Sequence, residues 1–399
     1  MPTFYNFREN GLDYSFDDIF VPADLFRDGN LFIWGFGSNG RLGDNTTGTK
    51  STPVTTFAGG TNWKQVSVGY KHTAAIKTDG TLWTWGYGNR GQLGTNDTTQ
   101  RLTPVTTFAG GTNWKQVSSG EQQTAAIKTD GTLWTWGYAN FGQLGDNTVT
   151  DKSTPVTTFA GGTNWKQVSS GTLHTAAIKT DGTLWTWGGI MGKGGNSGVL
   201  GNGSINGSST PVTTFAGGTN WKQVTSATRS NNIAAIKTDG TLWTWGYGAQ
   251  GRLGNAKSGD DSISTPVTTF AGGTNWKQVS DGNPLAAIKT DGTLWIWGTA
   301  ANGRLGNGAT TGNISTPVTT FAGGTNWKQV SSMALDSTVA IKTDGTLWTW
   351  GRNDRSQLGN AGITDRSTPV TTFAGGTNWK QVNTGGTHIA AITYIDSVL

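Results

Sequence analysis

The sequence predicts an all-β protein: a seven-bladed β-propeller of four-stranded antiparallel blades, its ring closed by the N-terminal strand pairing into the last blade. Three observations carry this. NWKQV recurs with its Trp at 63, 114, 165, 221, 276, 327 and 379, so the period is 51 to 56 residues. Between these copies lie AAIKTDGTLWTWG and TPVTTFAGG, short runs of Val, Ile, Thr and aromatics bounded by Asp-Gly or Gly-Gly, which are strand and turn signals. The two ends are also complementary. The chain has Asp28-Gly29-Asn30-Leu31-Phe32-Ile33-Trp34-Gly35 with no preceding NWKQV, and it finishes on NWKQVNTGGTHIAAITYID, which lacks the LWTWG strand.

Taken in order, WKQVS is strand one, AAIK strand two, LWTWG strand three and TPVTTF strand four. Asp-Gly between two and three is a tight-hairpin signal, because its turn needs positive φ. No helical periodicity interrupts the units, which leaves a radial propeller or a linear solenoid. A solenoid has no reason to be complementary at its ends. In a ring, pairing the first segment into the last blade removes exposed sheet edges. Residues 29–399 are therefore expected to form the propeller, and 1–28, outside the repeat and rich in aromatics and acids, an attachment or strap segment.

At 399 residues the chain exceeds the ~250–300 at which one core stops growing, as a repeat architecture requires. Cysteine is absent, which excludes disulfides, thiolate metal sites and cysteine nucleophiles. No segment reaches the ~18 apolar residues of a membrane span, and the start lacks the basic and apolar regions of a signal peptide. The net charge of +5 belongs to the framework: 13 lysines in NWKQV and IKTDG less six TDG aspartates contribute +7, so the remainder sums to −2. No Lys/Arg-rich run is present, so nucleic acid is not an expected partner. The framework lysines are expected to ring the face of the TDG turns, where they could meet an acidic partner.

Variation is unevenly placed. Strand parity puts the near-constant TDG and AGGTN turns on one face and the connections between strands one and two, and three and four, on the other. Those connections differ from unit to unit, while a Leu-Gly anchor (Leu42, Leu93, Leu144, Leu200, Leu253, Leu305, Leu358) persists, expected as a buried Leu and a turn Gly. Hairpin geometry demands Asp-Gly and so accounts for part of the asymmetry. Since drift alone marks all exposed loops, the rest points to a recognition face, with simple tolerance of unconstrained loops as the alternative. Its expected ligand-binding residues are Tyr70, Lys71, Tyr87, Arg90, Glu121, Gln122, Phe141, Leu173, Ile190, Met191, Lys193, Arg229, Asn231, Asn283, Leu335, Asp336, Arg352 and Arg355.

Catalytic chemistry is not indicated. Three G-x-G-x-x-G matches, such as Gly86 to Gly91, follow strands but open no helix, so they are loop glycines rather than dinucleotide sites. The three histidines, His72, His174 and His388, occupy one repeat position in different blades and read as packing and hydrogen-bonding residues. The TDG aspartates are turn formers. No metal or other cofactor is expected, and the chain is not expected to be an enzyme.

Gly69, His72, Asp79-Gly80, Trp85-Gly86 and Gly91-Gln92-Leu93-Gly94 follow the order G-x-x-H, D-G, W-G, G-Q-L-G. In this the chain resembles the regulator of chromosome condensation family over residues 29–396, seven times over. Family members that sense ultraviolet light use clustered Trp in G-W-R-H-T motifs. Here Gly69-Tyr70-Lys71-His72-Thr73 has Tyr at that place, and all 20 Trp fill framework positions, so light sensing is not implied. The units, together with the stretch from MPTFYNF to VPADLF, also look like repeat proteins of marine cyanobacterial viruses. That resemblance implies a non-enzymatic virion protein, in a tail or capsid-surface position, with the variable face turned to a host surface molecule or another virion protein and 1–28 serving attachment or oligomerisation. The alternative is a protein-binding or inhibitor module acting on a cellular protein.

Overall fold

A computed structural model describes residues 28–189, 198–226, 228–257, 259, 262–332 and 337–394. Seven blades radiate around a central channel. In the first, Trp63–Val68, His72–Lys77, Leu82–Gly86 and Arg101–Thr106 pair in order as an antiparallel meander, and five further blades repeat it. The last blade joins both ends of the chain: Trp379–Thr384 and His388–Tyr394 are followed by Asp28–Gly35 and Lys50–Thr55. The N-terminal part thus supplies two strands, the third and the fourth, with Leu31 opposite Ile392 and Trp34 opposite Ile389.

A bulge organises each blade. Pairing shifts register between Trp63 and Gln65, which leaves Lys64 as the extra residue. In a regular strand Trp63 and Val66, three positions apart, would point to opposite sides of the sheet; the bulge puts them on one. Trp63, Val66, Ala75 and Trp85 pack against Leu31, Ile33 and Ile392 of the preceding blade. On the other side Ala74, Ile76 and Leu82 meet Trp114, Val117 and Trp136 of the following blade. The core therefore lies between blades, and no blade can bury its apolar surface alone.

The bulge also frees Gln65 to face the next blade. Its amide donates to Val117 O at 3.1 Å and its carbonyl accepts Val117 N at 3.0 Å. The same reciprocal pair links Gln116 to Val168, Gln167 to Val224, Gln223 to Val279, Gln278 to Val330 and Gln329 to Val382. Gln381 returns to Val66, closing the belt. A second belt runs beside it, from Ser67 Oγ to Ser119 N through to Asn383 Oδ1, which accepts Val68 N at 2.7 Å.

Trp spacing serves the same interfaces. Trp63 lies edge-on to Trp83 and Trp85, both at 6.3 Å, and the Lys77 ammonium sits 4.8 Å from the Trp63 ring and 4.7 Å from that of Trp83. Trp136 donates from Nε1 to Gln92 O of the preceding blade, and Trp34 of the last blade does so to Gln357 O of the sixth. Gly94 stands against Trp136 at φ 68°, where a Cβ would lie 2.8 Å from Nε1, so the anchor glycine is fixed by both conformation and space.

Replacing Gln167 with Leu keeps the bulk but leaves the buried Val224 N–H and C=O without partners. It should lower unfolding stability by about 1–3 kcal/mol, read as a fall in denaturant midpoint; an unchanged midpoint would show the belt to be incidental.

Candidate functional site: the variable face

The TDG turn of each of the first six blades abuts the Thr-Asn pair of the next: Gly80 O accepts Trp114 N at 3.0 Å, and a Cβ at Gly80 would strike Thr112 O. Asp79 caps this turn by accepting the Thr81 hydroxyl at 2.7 Å and amide at 2.9 Å. Those two bonds hold its carboxyl below the usual range. This is the constant face, and its sequence is fixed by blade-to-blade hydrogen bonds.

On the opposite face the first and second variable connections meet, since Tyr87 N donates to Lys71 O at 3.0 Å. A collar of aromatic and cationic side chains stands there. Lys71 Nζ is 5.1 Å from the Tyr87 ring and 5.7 Å from that of Tyr70. Arg90 lies 5.0 Å from the Tyr138 ring, which also meets Phe141 edge-on at 6.0 Å, and bonds Asp151 at 3.4 Å. Arg252 lies 4.8 Å from Tyr247, while Arg355 and Arg41 lie 4.6 and 5.0 Å from Phe36. These cations present N–H groups to solvent or to the loops while their planes or methylenes rest on rings.

One contact crosses the channel mouth. Arg229, from the fourth blade, donates to the Tyr70 hydroxyl of the first at 2.6 Å, with its guanidinium 4.8 Å from the ring. Burial pushes the Glu121 carboxyl up, and the nearby charges of Arg229 and Lys71 act against that rise. Tyr70, Lys71, Tyr87, Glu121 and Arg229 thus converge over the end of a channel walled by Ser67, Ser118, Ser169, Thr225, Ser280 and Ser331.

Other expected positions stand apart. Gln122, Leu173 and Asn231 are half-buried and offer their carbonyls to Tyr138 N, Gly189 N and Tyr247 N, so their backbones are committed to the loops. Arg352 is held by Asp354 at 2.6 Å. Asn283 does not belong to the exposed face: it is 2% exposed, and its amide is spent on Gln250 at 2.7 Å and on the Thr299 hydroxyl and amide at 3.0 Å each. A polar side chain with internal partners is buried there in place of a solvent-facing one. Ile190, Met191, Lys193, Leu335 and Asp336 lie outside the described residues.

Sequence reasoning missed Phe36, Arg41, Tyr247 and Arg252. The signal was present: Phe36, Tyr87, Tyr138 and Tyr247 all follow the Trp-Gly that ends strand three. It also misplaced six lysines. Those of IKTDG do not project from the constant face but sit between Trp rings, as Lys128 does 4.8 and 4.6 Å from Trp114 and Trp134.

The histidines lie beneath the collar, fully buried. His72 Nε2 pairs with Thr124 Oγ1 and His388 Nε2 with Thr73 Oγ1, each at 2.9 Å and each across a blade junction. Arg41, 3% exposed, donates to Tyr70 O at 3.0 Å and Thr387 Oγ1 at 2.8 Å; burial, with the Arg355 charge adding to it, brings it down to about 10. Burial lowers His72 to about 3 and His174 to about 4, and holds His388 well below its ordinary value, with the Arg41 charge adding to the fall at His72 and His388.

The folded protein therefore keeps these rings neutral while the unfolded chain protonates them near the ordinary 6.5. Stability is fully present above that value and is lost as pH falls from 6.5 toward the folded values, by about 2 kcal/mol per histidine at pH 5. Chemical denaturation at pH 7.5 and 5 should show this loss. Replacing the three by Gln, which already stands at this position as Gln123, should flatten it; an unchanged slope would refute the assignment.

Comparison with known proteins agrees with the architecture. A family model described as the RCC1-like domain matches residues 23–284, and one described as the regulator of chromosome condensation (RCC1) repeat matches 344–392. The ultraviolet-B receptor UVR8 of Arabidopsis thaliana is 31% identical over 284 residues, covering 70% of this chain and 62% of the receptor. The E3 ubiquitin-protein ligase HERC2 of Homo sapiens is 28% identical over 342 residues, covering 83% of this chain but 7% of the ligase. The chain thus spans less than two thirds of the length of either relative. Among solved structures, Prp20p of Saccharomyces cerevisiae superposes with a TM-score of 0.78 at 17% identity, covering 93% of both chains, and human WBSCR16 with 0.75 at 20%, covering 92% and 98%. With its seven inter-bonded units and a family match across residues 23–284, the chain belongs to the RCC1-like repeat propeller family.

Proposed function

We propose that this propeller is a protein-binding module that takes its partner on the variable face. The observation that carries this reading is the collar of Tyr70, Lys71, Tyr87, Arg90, Tyr138 and Arg229, confined to the face whose connections differ between otherwise near-identical units. Rings held rigidly by stacked cations lose little freedom on contact, which favours them as interface anchors. Family members support a binding role: the solved yeast structures concern Prp20p and its binding to Gsp1p and histones, and yeast RCC1 bound to Kap60. The activity named for HERC2 is not carried over, since only 7% of that protein is spanned.

A virion placement rests on the likeness of the repeat units and of the stretch from MPTFYNF to VPADLF and is a separate proposal. Mass spectrometry of purified particles tests it, and absence of the chain from them removes it.

The binding reading is tested by placing a photo-crosslinking residue at Tyr87 or Arg90 and, in a second chain, at Thr78 on the constant face. Partner adducts should form from the first pair and be reduced at least about tenfold by Tyr70→Ala with Arg229→Ala, the loss usual for interface anchors, while the melting temperature stays unchanged. Adducts formed only from Thr78 would place the partner elsewhere.

A further inference from the structure

The constant face carries a feature that the propeller does not use for its own packing. Phe57, Phe108, Phe159, Phe215, Phe270, Phe321 and Phe373, one per blade, are 66 to 74% exposed. A single exposed aromatic is ordinary; the same one at the same place in every blade is not. Each opens the AGGTN turn that follows strand four, and Thr107 N reaches Leu82 O, the residue that begins strand three just after the TDG turn, which sets the backbone at the constant end of the blade. The Gly-Gly turn beyond projects outward: a Cβ at Gly59 or Gly110 would meet nothing within 4 Å.

The lysines of NWKQV begin the neighbouring strands from the same face. Lys64, Lys115, Lys166, Lys222 and Lys277 are exposed. With the Trp-stacked lysines and the six TDG aspartates, the framework contributes +7. A second copy of the chain would bring like charge against like charge, so the face is complementary to an anionic surface. A single folded protein touches one sector of a ring and leaves the other blades unconstrained. Bonds between and within blades account for the retained Thr-Asn-Trp, as Trp114 N to Gly80 O and Thr129 N to Asn113 O show, but not for the exposed Phe and the Lys that all seven units also retain while their variable connections have diverged. A partner that is uniform across the disc fits that pattern.

We propose that the constant face adsorbs to an anionic lipid surface. The phenylalanines enter the headgroup boundary and the exposed lysines neutralise lipid charge, with no segment crossing the bilayer. The variable face is then turned away from the lipid. This proposal stands independently of the protein-binding reading, because it uses the opposite side of the disc.

The test is co-sedimentation of the full chain with vesicles of phosphatidylcholine alone and of equal parts phosphatidylcholine and phosphatidylserine. Binding should be at least about tenfold tighter on the anionic vesicles and weaken with salt. Substituting all seven phenylalanines by Ser, or the five exposed lysines by Gln, should each remove at least about tenfold of it, with the near-ultraviolet circular dichroism unchanged. If the Ser chain misfolds, the Gln chain carries the test. Tyr70→Ala with Arg229→Ala should leave vesicle binding intact. Failure to sediment with anionic vesicles, equal binding to neutral ones, full binding by either folded variant, or binding to polyglutamate in place of vesicles would overturn the proposal.

Discussion

The reciprocal bond between a glutamine side chain and the backbone of the next blade's valine is the constraint on which the rest depends. A propeller blade has no core of its own, since its Trp and Ile side chains are buried only against neighbours. Apolar packing alone tolerates a range of blade tilts and offsets. The Gln belt fixes one offset, because each amide must meet both an N–H and a C=O of the same residue. The last of these bonds, from Gln381 to Val66, joins residues 315 apart and makes the seven interfaces one closed system.

Closure explains which residues can change. Gly80, Gly94 and Trp85 are held by contacts to the neighbouring blade, and Asp79 by the Thr81 it caps within its own turn. The connections on the other face bond mainly through their backbone, as Lys71 O and Gln122 O do. Their side chains are consequently free to differ, and in four blades they have settled on an aromatic with a cation over it. The buried histidines sit where the two regimes meet, with His72 and His388 bridging blades beneath the collar, and they make the junctions sensitive to acid.

Much of this was legible in the sequence. The period, the four-strand unit, the faces of the turns and the Leu-Gly anchor follow from repetition and turn chemistry, and Tyr70, Lys71, Tyr87, Arg90 and Arg229 follow from where repetition fails. The role of Gln65 was not legible, because alternation alone does not reveal the bulge at Lys64 that aims it at the next blade. Nor was the fate of Lys77, whose ammonium is drawn between two rings that sequence places on different strands. Asn283 read as a loop residue because its buried partners, Gln250 and Thr299, lie in other connections. The N-terminal contribution read as one strand and is two, since Lys50–Thr55 is separated from Asp28–Gly35 by a variable connection.

Hydrogen exchange of the seven belt amides, Val66, Val117, Val168, Val224, Val279, Val330 and Val382, tests the central claim most directly. A ring closed by the belt should protect all seven to a similar degree and expose them together, with the free energy of global unfolding. Rapid exchange at Val66 and Val382 alone, beside slow exchange in the middle blades, would mean that the two chain ends are not locked and that the belt does not close the ring.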